Sequence, residues 1–166
     1  MTDIKVRPAT LDDADGVNAI YNPFIVSSPA TFETREHQTE EREIWISEHQ
    51  GDPRHPVWVA MLEGEICGFA SASAFDPRGA YETSVKTSVF VEPGAGGRGV
   101  GKKLYEALFN DLASADVHRA YALIVAPNPA SVALHEDFGF VHVSTLSEVG
   151  RKFGRYYDVM WFEKRF

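Results

Sequence analysis

Cysteine is almost absent: Cys67 is the single one in 166 residues. No intrachain disulfide can form, so the chain must hold itself together through a buried core, and it suits a reducing, cytoplasmic setting. Cys67 lies in the apolar run Ile66-Cys67-Gly68-Phe69-Ala70, which reads as a small buried side chain in preference to a catalytic thiol. Long hydrophobic runs are missing too. No stretch approaches the ~18 apolar residues of a membrane span. The opening MTDIKVRPAT has no apolar core behind its charges, which argues against a signal peptide. Positive charge is scarce, with 16 Lys and Arg against 24 Asp and Glu and a net charge of −8. Nucleic acid is therefore a poor main partner, because a phosphate polymer needs a broad basic face. The basic residues that exist cluster at 98–103 and 151–155, a scale that suits a small anionic ligand. A chain of this length buries a core without help from a metal, and none is expected.

What is present is one domain, residues 1–166, without repeat, low-complexity tract or linker. Residues 4–8 read as a strand. Thr10 and Asp13 have capping-box spacing, and Leu11, Ala14, Val17 and Tyr21 follow at helical intervals. Residues 22–38 hold two prolines and no period, which predicts a long loop, unusually apolar and so suited to binding. A helix over 39–50 is expected to turn Ile44 and Trp45 inward. From 57 the pattern becomes β: a hairpin turning at Glu63-Gly64-Glu65, then a strand in 82–92 with Val85, Thr87, Val89 and Val91 on one face. Val100, Leu104, Leu108 and Leu112 form the stripe of a helix over 99–114. A strand at 119–126 precedes Asn128-Pro129, an N-cap with proline at the first helical position, opening a helix to about 138. Strands at 140–149 and 156–163 flank a basic turn. The order predicts an α/β chain: a mixed sheet with helices on both faces.

The most informative segment runs from Val89 to Lys102, where a strand enters a loop with glycine at 94, 96, 97, 99 and 101 and passes directly into an amphipathic helix. Glycine lets the backbone adopt φ > 0 and approach a ligand. Successive N–H groups beside a helix N-terminus bind anions, helped by the helix dipole. Arg98, Lys102 and Lys103 add positive charge there. The physics points to a phosphate or pyrophosphate. A P-loop is excluded, since Lys103 stands where its hydroxyl residue belongs. A dinucleotide fingerprint belongs to a first βα unit, whereas this loop follows several strands.

The run V-x-P-x-x-x-x-R-G-x-G-K, with Asn128, His135 and Gly139-Phe140 downstream, resembles the GNAT superfamily of N-acetyltransferases. The similarity covers nearly the whole chain. It is closest to the phosphinothricin and methionine sulfoximine acetyltransferase branch, whose sequences resemble VRPAT, IYN, ATFE, FDPR-x-AY, SVFV, NPAS-x-ALHE-x-x-GF and RKFGR as they stand here. The resemblance implies an acyl-CoA N-acyltransferase fold with a mixed, mostly antiparallel sheet, a cytosolic homodimer, and acetyl-CoA as donor to a small amine. It implies that the backbone of Val89, Phe90 and Val91 pairs with the pantetheine arm. The N–H groups of Gly97, Arg98, Gly99, Val100, Gly101 and Lys102 would hold the pyrophosphate, and Asn128 and Ser131 would also meet the cofactor. One position departs from the family: Gly96 stands where Gln or Arg is usual.

Acetyl transfer to an amine needs a neutral amine, donors for the carbonyl oxygen as it gains charge, and a proton for the thiolate. The resemblance gives His135 the last task. It leaves the base open, because Lys86 occupies the position where relatives of this branch carry glutamate. Lys86 itself, Glu82, Glu33 and a water chain without a dedicated base remain, with water aided by Glu33 preferred. Lys86 could alternatively pair with an acidic group of the acceptor. Arg78 matches the family arginine that holds a substrate carboxylate, a planar anion suited to a bidentate pair. Thr31, Phe32 and Glu33, with Tyr156, are expected to wall the acceptor pocket. Two other readings stay open: transfer to a polyamine, aminoglycoside or protein N-terminus, and a coenzyme A sensor without turnover.

Overall fold

Residues 3–166 are described by a computed structural model. Its elements follow the expected order: β1 (Lys5–Pro8), α1 (Ala14–Ser27), α2 (Thr39–Gln50), β2 (Val57–Leu62), β3 (Glu65–Ala74), β4 (Ser84–Val91), α3 (Val100–Ser114), β5 (Arg119–Val125), α4 (Pro129–Asp137), β6 (Val141–Lys152) and β7 (Arg155–Arg165). The strands form one sheet in the order β1-β2-β3-β4-β5-β7-β6. Every neighbouring pair is antiparallel except β4–β5. No described helix is long and apolar enough to cross a membrane.

Helices cover both faces. On one face α3 presents Val100, Leu104, Leu108 and Leu112, each buried to within 1% exposure, against Ala70, Ala72, Val85, Ala120 and Ala122 of the sheet. Small strand residues let the helix approach closely, so the four-residue stripe translates directly into packing. On the other face Val17 and Ile20 of α1 meet Val57, Val59 and Phe69, with Trp45 of α2 packed against them. The β2–β3 turn takes positive φ at Glu63 and Gly64, the conformation of a tight two-residue hairpin.

Three sequence expectations need correction. The segment 22–38 is not all loop: α1 continues through Pro23 to Ser27. Proline cannot donate a helical hydrogen bond, but Ile25 is buried and Phe24 meets the Phe90 ring at 5.3 Å, and that packing outweighs the missing donor. In α2 the inward residues are Arg42 and Ile46, with Trp45 half-buried, while Ile44 is 59% exposed. The helix lies with its seam one position off the pair the sequence suggests. Finally, the last two strands extend to Lys152 and from Arg155, leaving only Phe153 and Gly154 as the turn, both at positive φ.

Candidate active site

The site begins where two strands part. β4 and β5 are paired only through Ser84–Arg119, Val85–Ala120 and Lys86–Tyr121. Beyond Lys86, β4 stays on β3 to the Gly68–Val91 pair and β5 stays on β7 to Val125–Val159. The strands thus diverge around a cavity of about 620 Å³. Glu92 N–H donates to Cys67 O on the β3 side at 2.9 Å. Strand alternation therefore aims the backbone polar groups of Val89 and Val91 into the opening and those of Phe90 toward β3. Of the three residues expected to offer their backbone, Val89 and Val91 thus turn their polar groups to the cavity. The Phe90 ring instead faces Tyr21, Phe24 and Phe69, at 4.9, 5.3 and 5.6 Å between centroids.

The glycine loop closes one end of the cavity. A short 3-10 turn, Pro93–Ala95, leads to Gly97 at φ 73° and Gly99 at φ 81°. Gly99 is the N-cap of α3, and only glycine takes this left-handed conformation without strain. Cβ atoms at Gly97 and Gly99 would meet nothing within 4 Å, so the loop surface is open for a ligand to approach. Lys103 N–H is bonded to Gly99 O at 3.0 Å. The earlier N–H groups of the first turn have no helical acceptor and carry the positive end of the helix dipole. Gly97, Gly99, Val100, Gly101 and Lys102 line the cavity, as do Asn128 and Ser131. Arg98 is exposed and outside the lining, and the Lys103 ammonium is bonded to Ile4 O at 3.0 Å, so neither adds directed charge. The arrangement fits a diphosphate held by amides, followed by an extended chain along the free edge of β4.

His135 lines the same cavity and is 3% exposed. Its Nδ1 lies 2.7 Å from Ser131 O, which can only accept, so Nδ1 carries the proton. Burial lowers the ring's pKa and keeps it neutral. Nε2 is then an acceptor, and the Tyr105 hydroxyl donates to it at 2.8 Å. In this tautomer neutral His135 has no N–H left to offer into the cavity. The hydroxyl on that side belongs to Tyr105, whose own pKa is raised well above the usual phenol value by burial. Asn128 accepts from Ser131 N–H at 3.2 Å, capping α4 while facing the cavity.

At the acceptor end Tyr21, Phe24, Ala30 and Thr31 form the wall. Tyr21 and Thr31 share a hydroxyl hydrogen bond of 2.7 Å, and Thr31 Oγ1 accepts from Glu33 N–H at 3.2 Å. The other expected acceptor residues do not line the cavity. Phe32 packs against Gly150, where a Cβ would collide with its ring, and lies 6.4 Å from the Tyr157 ring. Tyr156 is 60% exposed with Arg151 over its ring at 5.6 Å. Arg78 is committed to Asp76 through bonds of 2.7 and 3.1 Å and stacks on Tyr81. Lys86 is half-buried on the same strand face as Ser88 and Phe90. Glu33 is half-exposed and sits 3.9 Å from His37. Glu82 faces Arg54 at 3.5 Å, away from the cavity lining. Sequence reasoning missed Tyr21 and Tyr105. A phenol inside an otherwise aliphatic helix stripe was the available signal for Tyr105.

A second cavity of about 540 Å³, between α2, the start of β2 and the end of α3, contains His49 and His55 but neither a glycine loop nor a free strand edge. His49 repeats the tautomer logic of His135, with Nδ1 2.7 Å from Trp45 O and a pKa lowered by burial. Both histidines are neutral when folded and take up a proton more readily when unfolded. Their contribution to stability is therefore complete above the ordinary histidine pKa of about 6.5 and is lost as pH falls below it. Thermal melts should show Tm falling below about pH 6.5, with a shallower fall in His135→Gln. A wild-type Tm that is flat through this window contradicts the neutral assignment.

Residues 6–161 match the acetyltransferase (GNAT) domain family. The phosphinothricin N-acetyltransferase of Streptomyces coelicolor is 47% identical over 98% of this chain and 96% of its own. An L-methionine sulfoximine/L-methionine sulfone acetyltransferase of Salmonella typhimurium is 30% identical over 96% of this chain and 93% of its own. The crystal structure of a phosphinothricin acetyltransferase from Sinorhizobium meliloti in complex with acetyl-CoA superposes with a TM-score of 0.93 at 31% identity, covering 99% of this chain and 89% of that one. With a sheet that opens between β4 and β5 onto a glycine loop, and with these likenesses along its whole length, the chain belongs to the GNAT acetyltransferase family.

Proposed function

We propose that this chain transfers the acetyl group of acetyl-CoA directly to the α-amine of a small amino acid analogue of the phosphinothricin, methionine sulfoximine or methionine sulfone type. The observation that carries the reading is the free edge of β4 leading to the amide cluster at 97–102. The named relatives supply the acceptor class. When bound, acetyl-CoA supplies an activated thioester carbonyl. The amides of Gly97 to Lys102 hold its diphosphate, with Arg98 contributing its backbone, and the Val89 and Val91 edge orients the pantetheine arm and polarises the carbonyl. Asn128 and Ser131 support that arm. Tyr105, whose orientation its bond to His135 fixes, would supply the proton to the departing thiolate.

On the acceptor side, Thr31 and Tyr21 present hydroxyls. Glu33 is the carboxylate whose field reaches Tyr21, Arg42 and Lys152, and it draws the amine's proton through water. Lys86, half-buried and outside the cavity lining, stands where this branch carries glutamate and is the residue that would alter the choice of acceptor. Phe32, Arg78 and Tyr156 lie outside the cavity lining, Phe32 and Tyr156 on the β6–β7 hairpin side and Arg78 paired with Asp76. Transfer to another amine is the second reading, favoured by Lys86 in the position where the branch carries glutamate.

We also propose a cytosolic homodimer. β6 is an edge strand bonded only to β7, and Val141, Val143, Leu146 and Val149 on it are 40–59% exposed. A twelve-residue edge strand that exposes four apolar side chains invites a second copy.

A thiol-release assay against amino acid analogues, spermidine and an aminoglycoside should favour the analogues by at least about tenfold in kcat/KM. Acetyl-CoA binding without turnover on any amine would falsify the enzyme reading in favour of a sensor. Glu33→Gln should lower kcat by about 100-fold and alter the acid limb of the pH–rate profile, while Glu82→Gln leaves both unchanged. Identical profiles in wild type and Glu33→Gln remove Glu33 from proton transfer. Sedimentation should find a dimer that Val149→Arg converts to monomer; a wild-type monomer at micromolar concentration overturns the assembly.

A further inference from the structure

A buried cation without an acidic partner sits behind the acceptor wall. Lys152, the last residue of β6, is 6% exposed. Its ammonium donates to Ser28 O and Thr31 O, each at 2.8 Å, and reaches Phe24 O at 3.4 Å. Among the described residues no carboxylate forms an ion pair with it. Burial lowers its pKa, and Glu33 is the carboxylate near enough to oppose that shift. Desolvating an ammonium is costly, yet a two-residue β-turn has no need of a buried charge. The three carbonyls explain its presence. A helix C-terminus carries partial negative charge and leaves a carbonyl such as that of Ser28 without a helical donor; Phe24 O already accepts from Ser28 N–H at 3.1 Å and is shared, and an ammonium offers three donors.

Those carbonyls belong to one stretch, from the last turn of α1 to Thr31. Its side chains Phe24, Ala30 and Thr31 line the cavity, and Thr31 Oγ1 holds both the Tyr21 hydroxyl and Glu33 N–H. The Phe32 ring against Gly150 is a second attachment to the same hairpin. None of the groups along the Val89–Val91 edge, the glycine loop or Asn128 bonds to Lys152.

We propose that Lys152 is the positioning residue of the acceptor wall: its ammonium, clamped on the carbonyls of Phe24, Ser28 and Thr31, sets the amine site from the β6–β7 hairpin and leaves the acetyl-CoA side untouched. The kinetic part rests on the acetyltransferase reading above; the conformational part does not. Lys152→Met keeps the length of the side chain and removes its donors. It should raise KM for the amine about tenfold or more while KM for acetyl-CoA stays within about twofold, because charge-assisted hydrogen bonds are lost on one side only. Lys152→Arg keeps the charge on a differently shaped head and should recover part of that loss. Amide hydrogen exchange, which needs no turnover, should be about tenfold faster at residues 28–33 in Lys152→Met and unchanged in the β2–β3 hairpin. Selective loop exchange with no activity on any amine leaves the clamp standing and sinks the acceptor assignment. An equal rise in both KM values, uniform acceleration of exchange over the sheet, or unchanged exchange at 28–33 overturns the clamp. If Lys152→Met does not fold, the same two readouts on Lys152→Arg decide: amine-selective change supports the clamp, and change on both sides overturns it.

Discussion

Everything in this structure that bears on chemistry depends on the loss of one ladder. β4 and β5 share three register pairs and then separate, although each keeps seven pairs with its other neighbour. The outer ladders make the separation affordable: β4 and β5 each remain half-bonded strands instead of fraying. What is left is a row of backbone donors and acceptors, from Val89 and Val91 on one side and Leu123 and Val125 on the other, facing a shared opening. Unpaired backbone groups must find water or a ligand. A molecule with amides spaced along a flexible arm satisfies them in the manner of an absent strand, and the anionic end of such a molecule meets the first turn of α3. Strand divergence and helix start are therefore parts of one site, fixed by the packing of Val100 and Leu104 under β3 and β4.

The glycine-loop half of that cavity was readable from the sequence because it is made of backbone and local pattern. Glycine at 97 and 99 is required by local φ alone, and the α3 stripe repeats at intervals that packing preserves. Asn128-Pro129 likewise declares a helix start, and the Asn128 side chain performs the cap. The acceptor half was less legible. Thr31 was placed correctly on the wall, but Phe32, Arg78 and Tyr156 lie outside the cavity lining. Their positions depend on how a helix ends, and that end is decided far away in sequence. Pro23 suggested a loop from 22 onward; the Ser28 carbonyl left free at the end of α1 is instead met by Lys152, more than 120 residues later. No local pattern can announce such a partner. Ile44 and Ile46 make the same point on a smaller scale, since a weakly amphipathic helix can rotate until Arg42 packs between Tyr21 and Trp45.

Charge is sorted in an unexpected way for an acidic chain. Its net charge is −8, yet two of its best-buried charged side chains are cations, Arg42 and Lys152, each 6% exposed. Arg42 donates to Asn18 Oδ1 at 2.9 Å and lies over the rings of Tyr21 and Trp45 at 5.1 and 4.7 Å. Lys152 rests on carbonyl oxygens. Neither is neutralised by a carboxylate, so π faces and peptide dipoles carry the compensation. Both cations flank the segment that contains Tyr21 and Thr31, and Glu33 is the half-exposed acid that feels both.

The two ends of the cavity differ in how they hold protons. On the α4 side the proton inventory is closed: Ser131 O fixes the tautomer of His135, His135 fixes the Tyr105 hydroxyl, and burial disfavours every charged form in that chain. Groups so arranged retain their protons until a developing negative charge offers a better acceptor than Nε2. On the α1 side Thr31 is buried and Tyr21 half-buried, and the carboxylate outside the cavity lining is open to water. Glu33 is half-exposed, and its backbone is pinned by Thr31 while its carboxylate is free to turn. The proposed transfer removes a proton from one reactant and returns one to another, and would be served by this asymmetry, an exposed carboxylate on one side with a dry hydroxyl–imidazole pair on the other. The sheet supplies it by placing β4 between them, with Phe90 and its aromatic neighbours on one face and Tyr105 on the other.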